Sequence, residues 1–279
     1  MKLNTPLRYP GGKSRAVKNL YGWFPSGIQE YREPFIGGGS MAIHFTKLNP
    51  DIPVWVNDKY FLLYNFWIHL QERGDELSDI LIAIKTANNT DDLAKELFNS
   101  AKQEINQADP FRQAVLFWVL NKCSYSGLTE NSAFSASASR QNFTIRGAKR
   151  LKEYSELIQH WEITNIDYAE VMNESGKDTF VFLDPPYDIK SFLYGGNKAE
   201  LHRTFDHERF AQDVEACPHD FMITYNKNEQ LEARFSAFQQ RHWSITYGMQ
   251  HRPDNKKQEL LITNYDIEPA TPIEALFNG

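Results

Sequence analysis

The 279-residue sequence contains two cysteines, Cys123 and Cys217, and no Cys-x-x-Cys spacing. This excludes a Cys-rich zinc module and a disulfide-built scaffold, and it fits a reducing compartment. There is no stretch of the ~18 apolar residues that a membrane-spanning helix needs, and residues 1–13 lack the apolar core of a signal peptide. These absences lead us to expect a cytoplasmic protein, host-cytoplasmic if phage-encoded, with no membrane partner. Clustered metal ligands are also missing. His202 and His207 share a polar stretch near Gly195-Gly196 that reads as a solvated or DNA-facing lid rather than a metal site, so no metal is expected. An excess of positive charge is absent too: 30 Lys and Arg face 36 Asp and Glu, for a net charge of −6. Nucleic-acid binders are ordinarily basic, so any DNA surface here must come from local clustering.

The composition that remains is that of a folded domain, with 41% hydrophobic residues and 24% charged. The length accommodates one large α/β domain and a smaller inserted one. Aromatics reach 14%, enough either to fill a core well or to supply faces for stacking on bases. Residues 31–35 read as a short strand running into Gly37-Gly38-Gly39-Ser40, and 41–48 as the helix that follows. Residues 54–56 read as a second strand ending at Asn57-Asp58. From 60 to 120 apolar residues recur at helical spacing, as in Leu93, Leu97 and Phe98, then Phe111, Val115, Trp118 and Val119. The acid-rich part of this region, 71–109, reads as a solvated helical surface. Residues 121–147 are rich in Ser, Ala, Asn and Gly and read as a loop or a hairpin. Strand patterns return at 161–166, 179–183 and 221–225. A hairpin pairs 242–250 with 259–265 across a polar turn at 252–257. Alternating strands and helices predict an α/β fold around a mostly parallel sheet. Ligands bind such sheets at the carboxyl ends of strands, which is where Gly37, Gly38, Gly39, Asp58, Asp167 and Asp184 fall.

Three motifs carry the chemistry. In Glu33-Pro34-Phe35-Ile36-Gly37-Gly38-Gly39-Ser40, glycines allow close backbone approach and the next helix offers free N–H groups. Asp58 follows a second strand at the distance from which a carboxylate reaches ribose hydroxyls. On these residues alone any adenosine-containing cofactor is open, although the spacing is not the Gly-x-Gly-x-x-Gly of NAD enzymes. Asp184-Pro185-Pro186-Tyr187 follows the apolar run 180–183. Its prolines cannot extend the ladder and fix a corner behind the carboxylate. A carboxylate and a carbonyl accepting the protons of a base's amino group would favour its nucleophilic geometry, and Tyr187 offers a stacking face. In Leu7-Arg8-Tyr9-Pro10-Gly11-Gly12-Lys13-Ser14 the adjacent glycines break phosphate-loop spacing. A ring at Tyr9 and a cation at Lys13 suit a cofactor that has both a ring and a carboxylate.

In this order the motifs resemble the Dam-type (D12 class, α group) DNA adenine-N6 methyltransferases, over nearly the whole chain. The resemblance implies a Rossmann-like S-adenosylmethionine methyltransferase sheet with an inserted, mostly helical target-recognition domain. The catalytic domain would comprise residues 1–59 and 160–279, and the recognition domain 60–159. The resemblance gives Tyr9, Lys13, Glu33, Pro34, Phe35, Gly37, Gly39, Asp58, Asp167, Tyr168 and Asp184 to S-adenosylmethionine. It gives Asp184, Pro185, Pro186 and Tyr187 to a flipped-out target adenine. It also implies double-stranded DNA as partner and a reversed last strand in the sheet, and we expect a monomer or weak dimer. Methylation of cytosine N4 or of a glutamine amide uses the same logic, usually with Ser or Asn where Asp184 stands. A non-catalytic DNA-binding module remains the reading from another class.

The net charge requires a local basic patch. Arg140, Arg146, Lys149, Arg150 and Lys152 form a run without acids, as do Arg8, Lys13, Arg15 and Lys18. Arg140, Asn142, Arg146, Lys149 and Arg150 are the expected DNA contacts. Arg140, Gln141 and Asn142 have the donor geometry that reads base edges.

Overall fold

The apolar run Thr179–Leu183 is a central strand, buried at every residue as a strand covered on both faces must be. The structure, a computed structural model, describes residues 3–9, 12–14, 16–186, 205–226, 229–246 and 256–267. Its sheet has seven strands: β1 (Glu30–Glu33), β2 (Val54–Asn57), β3 (Trp161–Thr164), β4 (Thr179–Leu183), β5 (Asp220–Asn226), β6 (Gln239–Thr246) and β7 (Lys256–Thr263). Their spatial order is β3-β2-β1-β4-β5-β7-β6. β1 to β5 pair in parallel, and β7 runs antiparallel between β5 and β6. The expected α/β sheet and its reversed strand are both present. The hairpin strands begin about three residues earlier than their apolar pattern suggests, because Lys256 and Lys257 pair with Thr246 and Ile245 instead of forming the turn. Most of the predicted turn, 252–255, lies outside the described residues.

Side-chain alternation divides the core. Phe180, Phe182, Met222 and Leu261 pack on one face of the sheet, Val181, Leu183, Phe221, Ile223, Tyr225, Leu260 and Ile262 on the other. The first face also takes the helices α3 (Phe61–Ala87), α4 (Asp91–Glu104), α5 (Pro110–Cys123) and α7 (Ile145–Leu157) into a continuous core, and α6 (Ala136–Asn142) lies against α4 and α5. Trp67 meets Trp161 at 5.8 Å between ring centroids, and Trp118 meets Phe143 at 5.2 Å. Side chains cap these helices where the sequence supplies a Ser, Thr or Asp. Thr90, Asp109, Ser135 and Thr144 each accept an N–H of the first turn, and Pro110 follows Asp109 at the first helical position. No helix among the described residues is long and apolar enough to cross a membrane.

Of the two readings of 121–147, the structure keeps the loop and adds a short helix. The hairpin read at 121–147 does not form. The segment makes two short 3-10 turns, one isolated bridge between Ser124 and Phe134, and α6. Ser135 caps the Ala-Ser run into a helix, and small residues give a strand no cross-strand partners to pack. The acid-rich surface at 71–109 is solvated, as its pattern predicts, and several of its exposed acids carry ion pairs. Asp75 and Asp79 pair with Lys152, Asp91 with Arg140, and Glu104 with Arg112.

The strand order locates a crevice. From β1 the chain moves outward to β2 and β3, and from β4 it moves the other way to β5. Their carboxyl ends therefore diverge between Glu33 and Asp184, the position where open α/β sheets hold ligands.

Candidate active site

Residues after β1 form one wall of the crevice. Gly37 and Gly39 have φ values of +49° and +68°, which side chains rarely adopt. They also have no room for one: a Cβ on Gly37 would stand 2.9 Å from the Tyr9 ring, and one on Gly39 would stand 2.6 Å from Trp67. Gly39 N-caps α2 (Ser40–Leu48), and the Trp67 indole N–H donates to the Gly37 carbonyl at 3.2 Å. Asp58 Oδ2 accepts the Gly37 N–H at 3.0 Å, and Oδ1 accepts the Tyr60 N–H at 2.9 Å. The carboxylate expected to hold ribose hydroxyls therefore also organises the glycine loop.

Glu33 lies behind this wall, 3% exposed, and its Oε2 accepts the Tyr31 hydroxyl at 2.8 Å. Burial pushes its carboxyl up to about 8. Hydrogen bonds from Tyr31 and the Ala42 backbone oppose the rise, and the charges of Asp184 and Asp58 add to it. Both flanking carboxylates thus lie within electrostatic reach of one buried acid.

The other wall begins at Asp184, directly after β4. Pro185 is buried and Pro186 half-buried; Tyr187 lies outside the described residues. Lys13 Nζ donates to Asp184 Oδ1 at 3.0 Å and stands 3.8 Å from Glu259. The Thr224 hydroxyl donates to the same Oδ1 at 2.8 Å. Lys13, the residue expected at a cofactor carboxylate, is ion-paired with a carboxylate of the protein.

Asp167 and Tyr168 open α8 (Tyr168–Asn173), where Asp167 and Glu170 form a capping box. Arg209, on α9 (His207–Glu215), grips Asp167 with two hydrogen bonds at 2.7 and 3.0 Å and lies over the Tyr168 ring at 5.2 Å. Burial raises the Asp167 carboxyl, but the Arg209 bonds, the Ala169 N–H and nearby positive charge outweigh it and hold it below its ordinary range. Tyr168 donates to Asp213 at 2.7 Å, and its ring joins Phe35, Phe205 and Phe210 in an aromatic group behind Pro34. His207 contacts the Tyr225 hydroxyl at 3.1 Å. His202 and the glycine pair at 195–196 lie outside the described residues.

The N-terminal motif joins these walls to the helices. The Arg8 N–H donates to Asn121 Oδ1, Asn121 Nδ2 returns a bond to the Arg8 carbonyl, and the Arg8 guanidinium donates to the Ser124 carbonyl. Pro10, Gly11 and Arg15 lie outside the described residues. Of the expected DNA contacts, Arg140 is ion-paired with Asp91, and Asn142 Nδ2 donates within its own helix to the Ala138 carbonyl. Arg146 and Lys149 are exposed on α7, and Arg150 is half-buried beside Tyr154.

The sequence reading missed several residues. Asn57 bonds to Pro34, Thr164 and Ile166 and so ties together the ends of three strands. Thr224 and Glu259 reach Asp184 and Lys13 from the far side of the sheet. Tyr125, beside the Arg8 dock, is 67% exposed. Only Asn57, next to Asp58 at a strand end, carried a local signal.

A family model for the D12 class N6 adenine-specific DNA methyltransferases matches residues 9–249. The chain is similar to the DNA adenine methylases of Salmonella typhi and Escherichia coli K12, each 28% identical over 185 residues. Each alignment covers 65% of this chain and 64% of the relative, so the chain spans less than two thirds of the length of these relatives. It is also similar to the type II methyltransferase M.MjaIII of Methanocaldococcus jannaschii, 24% identical over 207 residues, which cover 67% of this chain and 70% of the relative.

Proposed function

Because the chain belongs to the D12 class of N6 adenine-specific DNA methyltransferases, we propose that it transfers a methyl group from S-adenosylmethionine to N6 of adenine at specific sites in duplex DNA. The observation that carries the reading is Asp184. It stands at the carboxyl end of β4, where the strand order reverses, with one carboxylate oxygen fixed by Lys13 and Thr224.

The residues present suit the cofactor. Asp58 and Asp184 place carboxylates at a crevice that would take a molecule bearing cationic groups, with the protonated Glu33 behind them. The glycine loop is shaped by positive-φ backbone held on Asp58, and Phe35 and Tyr168 offer ring faces. Tyr9, Phe35, Gly37, Gly39, Asp58, Asp167 and Tyr168 are the residues proposed to hold it, with Glu33, Pro34 and Lys13 behind them. When bound, it supplies a methyl carbon already activated by a sulfonium charge.

On this reading the target adenine leaves the stack, as chemistry at a base amine requires. Asp184 accepts one N6 hydrogen and draws the nitrogen lone pair out of ring conjugation. That lone pair would take the methyl group the cofactor would supply, the electrons of the broken bond remaining with the cofactor, and Asp184 or water would take the N6 proton. Pro185 and Pro186 hold the corner, and Tyr187 supplies the stacking face. Residues 60–159 form the target-recognition part of the chain, and Arg146, Lys149, Arg150 and the exposed Tyr125 face DNA. The test is incubation of duplex DNA with methyl-tritiated S-adenosylmethionine, followed by hydrolysis and chromatography of the bases. Label in N6-methyladenine is expected, and label in N4-methylcytosine or in no base overturns the reading.

A further inference from the structure

Asp184, Thr224 and Glu259 belong to three adjacent strand positions, and sheet register explains why they converge. Leu183 pairs with Ile223, so Asp184 lies level with Thr224 one residue further on. Thr224 pairs with Leu261, and Asn226 with Glu259. Alternation puts Asp184, Thr224, Glu259 and Leu261 on the face that carries Phe182 and Met222. Lys13 descends onto that same face from the N-terminal motif. Three members of the cluster are nearly sealed from water: Lys13 is 2% exposed, Glu259 1% and Thr224 0%.

We propose that Thr224 and Glu259 are positioning residues for methyl transfer, acting on the target amine through Asp184 and Lys13. The inference rests on the methyltransferase reading. Two hydrogen bonds converge on Asp184 Oδ1, and among the described residues none donates to Oδ2. Locking one oxygen fixes the rotation of the carboxylate and leaves the other to meet an amine. Glu259 acts one step further out. A buried ammonium facing Asp184 alone would concentrate its charge there and weaken Asp184 as an acceptor. Glu259, 3.8 Å from the same nitrogen, shares that charge.

The test compares Thr224→Val, Thr224→Ser and Glu259→Gln with the wild-type protein in steady-state methyl transfer, alongside thermal melting. Thr224→Val, which keeps the shape and removes the donor, is expected to lower kcat about tenfold. Its KM for S-adenosylmethionine and for DNA should stay within about twofold of wild type. Thr224→Ser restores the donor and should recover most of the rate. Should Thr224→Val not fold, Glu259→Gln carries the same split between kcat and KM. Wild-type kcat in both Thr224→Val and Glu259→Gln overturns the proposal. So does a Thr224→Ser variant as slow as the valine, or a loss confined to KM. A wild-type protein that labels no adenine overturns the methyltransferase reading itself, a result distinct from variants that match an active wild type.

Discussion

The strand-end crevice and the helical segment of residues 61–157 handle charge in opposite ways. At the crevice every key acid is matched at short range: Asp184 by Lys13 and Thr224, Asp58 by two backbone N–H groups, Asp167 by Arg209. On the helical segment Arg140 and Lys152 pair with acids on neighbouring helices, while Arg146 and Lys149 face water. Short, partly buried pairs are little screened by salt, and exposed charges are screened strongly. The chemical step and the affinity for DNA should therefore respond to different substitutions and different conditions.

The sharpest division comes from Asp184→Ala. It should cut transfer about a thousandfold, as loss of a group aimed at the reacting atom does, while DNA affinity stays within about threefold. Equal losses in both measurements would break the comparison. Asp58→Ala releases the Gly37 and Tyr60 N–H groups, so KM for S-adenosylmethionine should rise on the order of tenfold and stability fall by about 1 kcal/mol. Unchanged cofactor affinity, read by calorimetry, would remove Asp58 from the crevice wall.

Glu33 tests burial itself. Its carboxyl, about 8 in the folded protein, lies well above the ordinary carboxylate value. The native state then holds a proton that the unfolded chain gives up near pH 4.5. This contribution to stability is complete below that pH and disappears as the pH climbs through about 8. Glu33→Gln should flatten that decline, worth about 2–4 kcal/mol, in melting curves taken from pH 5 to pH 9. Parallel curves for the two proteins would contradict it. The smallest effect belongs to Arg146→Ala. DNA affinity should drop about threefold at low salt and converge with wild type as salt rises, because one phosphate contact and its counterion release are lost. A salt-independent loss would make Arg146 a structural residue of α7.

Local pattern carried a good deal of this. β4, the glycine loop and the helical run from 61 to 123 are marked by neighbours in sequence, through an apolar run, glycines after a strand and a 3.6-residue repeat. The Asp184 corner was legible because two prolines after a buried strand admit few conformations. What local pattern could not carry is pairing at a distance. Lys13 and Asp184 are 171 residues apart, and Arg140 and Asp91 are 49 apart. The same limit hid Thr224 and Glu259, ordinary strand residues until register sets them beside Asp184. Residues 121–147 were ambiguous for a local reason: Ser favours turns and caps while Ala favours helix, and the choice fell to the Ser135 cap.

The reversed strand β7 has a consequence for biosynthesis. Because it is inserted between β5 and β6, the strand bearing Glu259 is the last of the seven to leave the ribosome, yet it occupies an interior place in the sheet. The Glu259 carboxylate can stand beside Lys13 only once this strand has docked against β5. On the proposed reading, methyl transfer should therefore appear only once this strand has paired with β5.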